Sequence, residues 1–299
     1  MNSIFAYCGI SRQAHSQALQ RQHHCQHKAL LYIGMMEQTR DIHPGMGLRT
    51  MYEVLEPAGI GRDSFMALGA AAGYRLQSLE KQTRTTFSVK TNRYTNLLAG
   101  MAFSGRDQLW SSDITYFHCL GQFFYLVFIM DVYTRRIVGY SVAENMRAEN
   151  NVAALRMALK CRGVNDYGGT LIHHSDKGGQ YAADAYTQML DSYGIRISMC
   201  NEVYENTHIE RVNSTIKNQY LSRWSISSKK QLAARLRDAV NAYNTTRPHE
   251  AIGKMPPVVY EQKLESIPKE KRTKMKIFTL SKYQDNFHSN QLNLFEQLS

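Results

Sequence analysis

The run Phe123–Met130, FFYLVFIM, contains no charge, proline or glycine and stops at Asp131. It is too short to cross a bilayer, which takes about 20 residues in a helix, and it is rich in the aromatic and branched side chains that strands prefer. An apolar strand without polar alternation has to be covered on both faces, so this run demands a central sheet with a packing layer on either side. Strand-like stretches flank it at Trp110–Phe117 (WSSDITYF) and Arg136–Val142 (RIVGYSV). Their short connections predict an antiparallel meander of three strands. Further on, helical patterns over 148–161, 182–193, 206–221 and 229–243 are interleaved with strands over 170–174 and 195–199. The order βββαβαβα predicts the α/β class, a mixed five-stranded sheet with flanking helices.

The region before this sheet has a different texture. Residues 11–40 read as a helix with Ser11 as its cap, and His43-Pro44-Gly45 makes a loop. Shorter helices are expected over 48–56 and 63–72, separated by Pro57-Ala58-Gly59. Residues 1–75 are therefore expected to be a small all-α domain. It is either a helix-turn-helix that offers Arg62 and Ser64 to DNA or an ordinary helical bundle. Residues 76–105 are polar and basic, a linker or DNA-tracking arm. The sheet region is expected to span 106–262. A tail over 263–299, basic at 269–276 and then rich in Gln and Asn, either holds DNA or stays disordered.

Thirty-six Lys and Arg against 25 Asp and Glu give a net charge of +11, which favours polyanionic partners, nucleic acid above all. No apolar run is long enough for a membrane span, and the first residues lack the pattern of a secretory leader. The five cysteines are dispersed, with no CxxC pair, so neither a disulfide framework nor a zinc ribbon is expected and a cytoplasmic setting fits. His23, His24, Cys25 and His27 invite a zinc reading. Zinc needs four convergent ligands and no Cys pair follows, so they are read as an exposed polar helix.

Three acids sit where folding alone would not put them. Asp113 interrupts a strand, Asp176 follows one directly (His173-His174-Ser175-Asp176-Lys177-Gly178-Gly179), and Glu210 lies early in a helix. The strands before Asp113 and Asp176 are expected to be neighbours, and the following helix can bring Glu210 beside them. Clustered carboxylates repel and are costly without a cation. An oxygen-only set suits Mg²⁺ or Mn²⁺, and two such ions a few ångströms apart clamp both oxygens of an in-line phosphoryl displacement.

The surrounding words, WSSDITYF, DVYTRRIVGYSV, HSDKGGQY, NTHIERVNSTIKNQY and YNTTRPHEAIGKMPPVVYE, occur in an order that resembles the catalytic core of retroviral-integrase-like transposases of bacterial insertion sequences. The resemblance covers about residues 105–262 and is closest to the group whose second reading frame encodes the DDE part. It implies an RNase H-like fold with Asp113, Asp176 and Glu210 as catalytic metal ligands. It also implies DNA as substrate and a homo-oligomer on paired element ends. Residues 1–75, with the opening Gly9-Ile10-Ser11, resemble the small helix-turn-helix that precedes the core in the same family. The interval between the second acid and the glutamate, 210 − 176 − 1 = 33 residues, is slightly shorter than the family's, the loss falling in the loop 200–204. Such catalytic frames commonly work fused to an upstream frame carrying another helix-turn-helix and a leucine zipper; no sustained heptad occurs here.

On a regular helix Asn213, Ser214 and Lys217 share the face of Glu210. Asn213 and Lys217 are therefore candidates for DNA contact, Lys217 through a phosphate and from a solvent-facing position. Lys177 and Gln180, beside Asp176, are candidates to position DNA, and Arg247 either meets a phosphate or anchors its helix. Asp131 is expected in a turn or a structural hydrogen bond. These features together predict a DNA transposase that cleaves and transfers strands by metal-dependent phosphoryl transfer. The alternatives are an RNase H-like nuclease that cuts without joining, and a non-catalytic DNA-binding regulator or remnant.

Overall fold

A computed structural model describes residues 7, 9–79, 93–200 and 206–277 of the chain. They divide into two compact units, 1–80 and 81–299.

The first unit is all helical. Helix α1 (Arg12–Ile42) starts at Ser11, whose Oγ accepts the Ala14 amide at 3.0 Å. Its C-terminal part packs with α2 (Leu48–Leu55) and α3 (Arg62–Ala71) around Tyr32, Met36, Met46, Met51 and Phe65. Gly69 lets α3 come close to Leu48, whose methyl a β-carbon there would strike. Residues 12–28 of α1, His23 to His27 included, are exposed. Arg62 and Ser64 are exposed at the start of α3, Arg62 paired with Asp63 at 2.9 Å.

In the second unit, strands β2 (Leu109–Cys119), β3 (Gln122–Asp131) and β4 (Ile137–Ala143) form the meander, and β5 (Ile172–Ser175) and β6 (Arg196–Met199) extend it. The order is β4-β3-β2-β5-β6, antiparallel among the first three strands and parallel from β2 through β6. Short strands β1 (Ala102–Phe103) and β7 (Met275–Lys276) pair separately. β3 is covered on both faces, as its composition demands. Phe124, Leu126, Phe128 and Met130 face one core, with Ile209 and Val212 of α6 (Thr207–Thr215) and Leu232, Leu236 and Val240 of α7 (Lys229–Thr245). Val127 and Ile129 face the other, with Ala154, Leu155 and Ala158 of α4 (Ala148–Arg162) and Tyr186 and Leu190 of α5 (Asp184–Ser192). Each such fully buried Val, Leu, Ile, Phe or Met side chain contributes about 1.5–3 kcal/mol. Gly139 on β4 lets α4 lie close, because a β-carbon there would collide with the Ala154 carbonyl oxygen and come within 3.0 Å of Ala158 Cβ.

Two boundaries are corrected. Leu98 and Phe103, from the expected linker, and Leu264, from the expected tail, are buried in the sheet's core, and Met275 packs against it. These apolar residues stand singly in basic surroundings and leave no periodic signal. The remainder of those segments, 80–92 and 278–299, lies outside the described residues.

The sheet is closed off by a buried ion network. Glu261, on α8 (Pro257–Glu265), meets Arg162 at 2.7 Å, Arg136 at 2.6 Å and the Thr134 hydroxyl at 2.8 Å. Arg162 also meets Asp107 at 2.8 Å and Asp131 at 3.2 Å. Asp131 accepts the amides of Asp107 and Thr134 at 2.6 and 2.9 Å, the structural role expected of it.

Candidate active site

The sheet register brings the first two acids together. In the parallel pairing of β2 with β5, Ser112 is opposite Ser175, the last pair of the ladder. Asp113 and Asp176 are the next residues on those two neighbouring chains, which run about 4.8 Å apart.

Asp113, Ser111 and Thr115 share one face of β2 because strand side chains alternate. Each is tied to the chain that carries Glu210. Ser111 Oγ donates to Asn206 Oδ1, and Asn206 Nδ2 donates to the Ser112 carbonyl at 3.1 Å. Asn213 Nδ2 donates to Asp113 Oδ2 at 2.7 Å. Lys217 Nζ donates to Thr115 Oγ1 at 2.7 Å and sits 5.3 Å from the centre of the Tyr116 ring. Two strand residues rise about 6.8 Å and four helical residues about 6 Å, so the step from Asp113 to Thr115 matches the step from Asn213 to Lys217. Glu210 stands three residues before Asn213, exposed in the first turn of α6.

The electrostatics record the crowding. Burial, then Asp176, then Glu210 raise the Asp113 carboxyl to about 8, against the Ile114 amide and Asn213, whose hydrogen bonds favour its ionised form. Burial also raises Asp176, opposed by the Gly178 amide donating to its Oδ1 at 3.1 Å, and it raises Glu210. Among the described residues, no three His, Cys, Asp or Glu side chains are gathered tightly enough to hold a metal ion as they stand. The arrangement is an adjacent pair, Asp113 and Asp176, with Glu210 in electrostatic reach of Asp113. Its donor chemistry, three carboxylates and no nitrogen or sulfur, fits a hard divalent cation, and the raised Asp113 carboxyl is what such a charge would relieve.

The other candidates divide. Asn213 is buried and directed onto Asp113. Lys217 is not solvent-facing as expected. The helix leaves α geometry in a π-helical turn over Ile216–Tyr220, and the lysine lies half-buried against Thr115. Gln180 donates to the Met146 carbonyl at 3.3 Å, while Lys177 is half-buried in the loop after β5. Arg247 packs half-buried beyond the end of α7. Ser214 is exposed and accepts from Asn218 at 3.1 Å. Residues 201–205, which include most of the shortened loop, lie outside the described residues.

Sequence reasoning missed the supporting layer. Tyr181 Oη lies 3.0 Å from Ser112 Oγ, beneath Asp113. His174 bridges Ser198 Oγ at 2.9 Å and Cys200 Sγ at 3.0 Å, and His173 meets Tyr186 Oη at 2.9 Å. Burial lowers these imidazoles to about 4 and about 3, so both are neutral and bind β5 to its neighbours. The only sequence signal for this layer was the clustering of polar residues in otherwise buried strands.

Two family models, both described as integrase core domain, match residues 104–203 and 193–257. The chain is 32% identical over 225 residues to the transposase for insertion sequence element IS629 of Shigella sonnei, covering 74% of this chain and 75% of that protein. It is 32% identical over 224 residues to the insertion element IS600 uncharacterized 31 kDa protein of the same species, covering 73% and 81%. Transposase InsF for insertion sequence IS3A of Escherichia coli (strain K12) is 29% identical over 205 residues, covering 64% and 69%. Among solved structures, the HTLV-2 integrase catalytic core domain in complex with magnesium is similar at 17% identity and a TM-score of 0.43, covering 52% of this chain and 97% of that one.

Proposed function

The chain belongs to the insertion-sequence transposases built on an integrase core domain, and from that premise we propose that it cuts and joins DNA at a site made of Asp113, Asp176 and Glu210. The observation that carries the site is the β2–β5 register, which sets Asp113 beside Asp176 while Asn213 ties the helix of Glu210 to the same carboxylate. Asp113 and Asp176 would hold divalent cations from the sheet and Glu210 from α6. Two Mg²⁺ or Mn²⁺ ions, when bound, would supply activation of the attacking oxygen and neutralise charge on the phosphate being transferred.

The chain's own groups do the rest. Asn213 and the Ile114 amide orient the Asp113 carboxylate and favour its charged form. Asn206 clamps the start of α6 to β2, so Glu210 is presented at a fixed height along the strand. Lys217, its ammonium over the Tyr116 ring, keeps a positive charge beside Asp113 where a phosphate would arrive. Lys177 lines the loop that follows Asp176 and is our candidate for a contact to the DNA backbone, with Gln180 fixing that loop to Met146. A water first attacks one strand at the element's end, and the freed 3′-hydroxyl then attacks a second phosphodiester in line. Both steps are phosphoryl transfers at one centre, so no covalent protein–DNA intermediate is required.

Residues 1–75 we assign to recognition of element ends, with Arg62 and Ser64 on the exposed start of α3 as DNA contacts. Work on paired ends implies a homo-oligomer, alone or fused with an upstream-frame helix-turn-helix protein. Among the described residues no helix is long and apolar enough to cross a membrane. A strand-transfer assay with labelled element ends and Mg²⁺ tests the proposal. Joined product supports it; cutting without joining, or binding alone, contradicts it.

A further inference from the structure

The parallel β2–β5 ladder ends at Ser112 and Ser175, so pairing between the two strands stops one residue before Asp113 and Asp176. Asp113 remains in β2, paired with Phe128 of β3. Asp176 has already left β5, and two carboxylates set side by side repel. Something besides the ladder has to hold the second acid at its distance from the first.

The loop after β5 does this through a chain of hydrogen bonds. The Gly178 amide donates to Asp176 Oδ1 at 3.1 Å, and the Tyr181 amide donates to the Gly178 carbonyl at 3.0 Å. From there the Tyr181 side chain crosses to β2, its Oη 3.0 Å from Ser112 Oγ. The direction of this last bond follows from the protons available. Ser112 Oγ gives its one proton to the Phe128 carbonyl at 3.0 Å, so Tyr181 donates and Ser112 accepts. Three bonds thus lead from the Asp176 carboxylate to the residue before Asp113, and a fourth leads on to the residue paired with Asp113.

The tyrosine is itself held fast. It is 1% exposed, and its ring lies 5.6 Å from that of Tyr186 at 73° and 6.2 Å from that of His173. Tyr186 and His173 are in turn joined at 2.9 Å. A phenylalanine would fill the same space, so packing alone does not account for the hydroxyl. Side chains alternate along a strand, which puts Ser112 on the face of β2 opposite Asp113. Tyr181 therefore acts from behind the strand, through Ser112, and not on the reacting atoms.

We propose that the Tyr181 hydroxyl is a positioning group: bonded to Ser112, it braces the loop of Asp176 against β2 and sets the spacing at which Asp113 and Asp176 take a divalent cation. This rests on the DNA transposase reading of the site. Metal ligands have to be held to within about 0.5 Å, and removing the groups that orient them typically costs about 10–100-fold in metal affinity.

The test is calorimetric titration of Mn²⁺ into the full chain after chelator treatment. Tyr181→Phe keeps the ring and removes the donor; Ser112→Ala removes the acceptor and reports on the same bond should the phenylalanine variant not fold. Each should bind Mn²⁺ about tenfold more weakly than the parent, and the double variant should fall no further than Ser112→Ala alone, because both substitutions break one bond. Joining by Tyr181→Phe should need about tenfold more Mg²⁺ for its half-maximal rate and recover the parent's rate when metal saturates. Tyr186→Phe is the control, since it removes an equally buried hydroxyl of the same layer that meets His173 instead of β2. It should lower the thermal midpoint as Tyr181→Phe does and keep the parent's Mn²⁺ affinity. Parent affinity in Tyr181→Phe, or equal weakening in Tyr186→Phe, would make the hydroxyl a packing group and overturn the brace. Asp113→Asn tests the underlying site in the same titration. Mn²⁺ affinity unchanged in that variant would contradict the reading of the site itself, whereas its loss there with parent affinity in Tyr181→Phe contradicts the brace alone.

Discussion

Asp113 and Asp176 follow directly on Ser112 and Ser175, which are opposite each other at the end of the parallel β2–β5 ladder. Two carboxylates are thereby set side by side by backbone hydrogen bonding alone, before any side chain has chosen a rotamer. What this costs the folded protein is measurable, and it gives the first expectation.

Asp113 keeps its proton to about pH 8 in the metal-free folded protein, whereas the reference value for the free side chain is 3.8. The folded state therefore binds more protons than the unfolded state between those values. Stability falls as pH rises through that window, and the loss is complete above about pH 8. Asp113→Asn removes the titration. In chelator-treated protein its unfolding free energy should match the parent's near pH 4 and exceed it near pH 9, on the order of a few kcal/mol. A difference that does not change with pH would show that Asp113 is not crowded as described.

Asn206→Ala should lower both stability and DNA joining. The amide is buried and satisfied at both ends by Ser111 and the Ser112 carbonyl, and losing it costs about 1–3 kcal/mol. Asn206→Asp should not rescue either property, because a carboxylate cannot donate to that carbonyl. Full activity in the aspartate variant would remove Asn206 from the clamp.

Much of this was legible in the chain. An apolar run covered on both faces announced the sheet, and an acid in the middle of a strand announced Asp113. The neighbours of Glu210 were less so. Projecting Lys217 on a regular helix put it in solvent, but the chain widens into a π-helical turn at Ile216 and turns the lysine onto Thr115. Nor could periodicity reveal that Phe103 lies opposite Met275, since two-residue strands carry no repeat and the partners are distant in sequence. Glu261 is invisible for the same reason, as its meaning comes only from the convergence of Arg136, Arg162 and Thr134 upon it.

Arg162→Met should destabilise strongly, by about 3–5 kcal/mol, since it strands Asp107, Asp131 and Glu261 without their shared cation. The parent's Glu261 carboxyl is held below its usual value by Arg162 and Arg136 against the effect of burial. Its contribution is present above the unfolded value and lost as pH falls through the lower, folded one. Denaturant titration of parent and variant across acid pH measures both effects; a variant within 1 kcal/mol of the parent would mean the network contributes little.

Gly139→Ala should cost about 1–3 kcal/mol, because α4 has to move off β4 to admit a methyl group. Thermal unfolding measures this. The catalytic face lies on the other side of the sheet, so joining at low temperature should survive. Loss of joining in a fully folded variant would mean that α4 communicates with Asp113.

The most direct measurement is strand transfer by Asp113→Asn, Asp176→Asn and Glu210→Gln in Mg²⁺, beside binding of the same DNA. Each substitution keeps the side chain's size and removes one negative oxygen ligand. All three variants should bind DNA as the parent does and neither cut nor join it. Joining at near the parent's rate by any one of them would contradict that residue's place in the site.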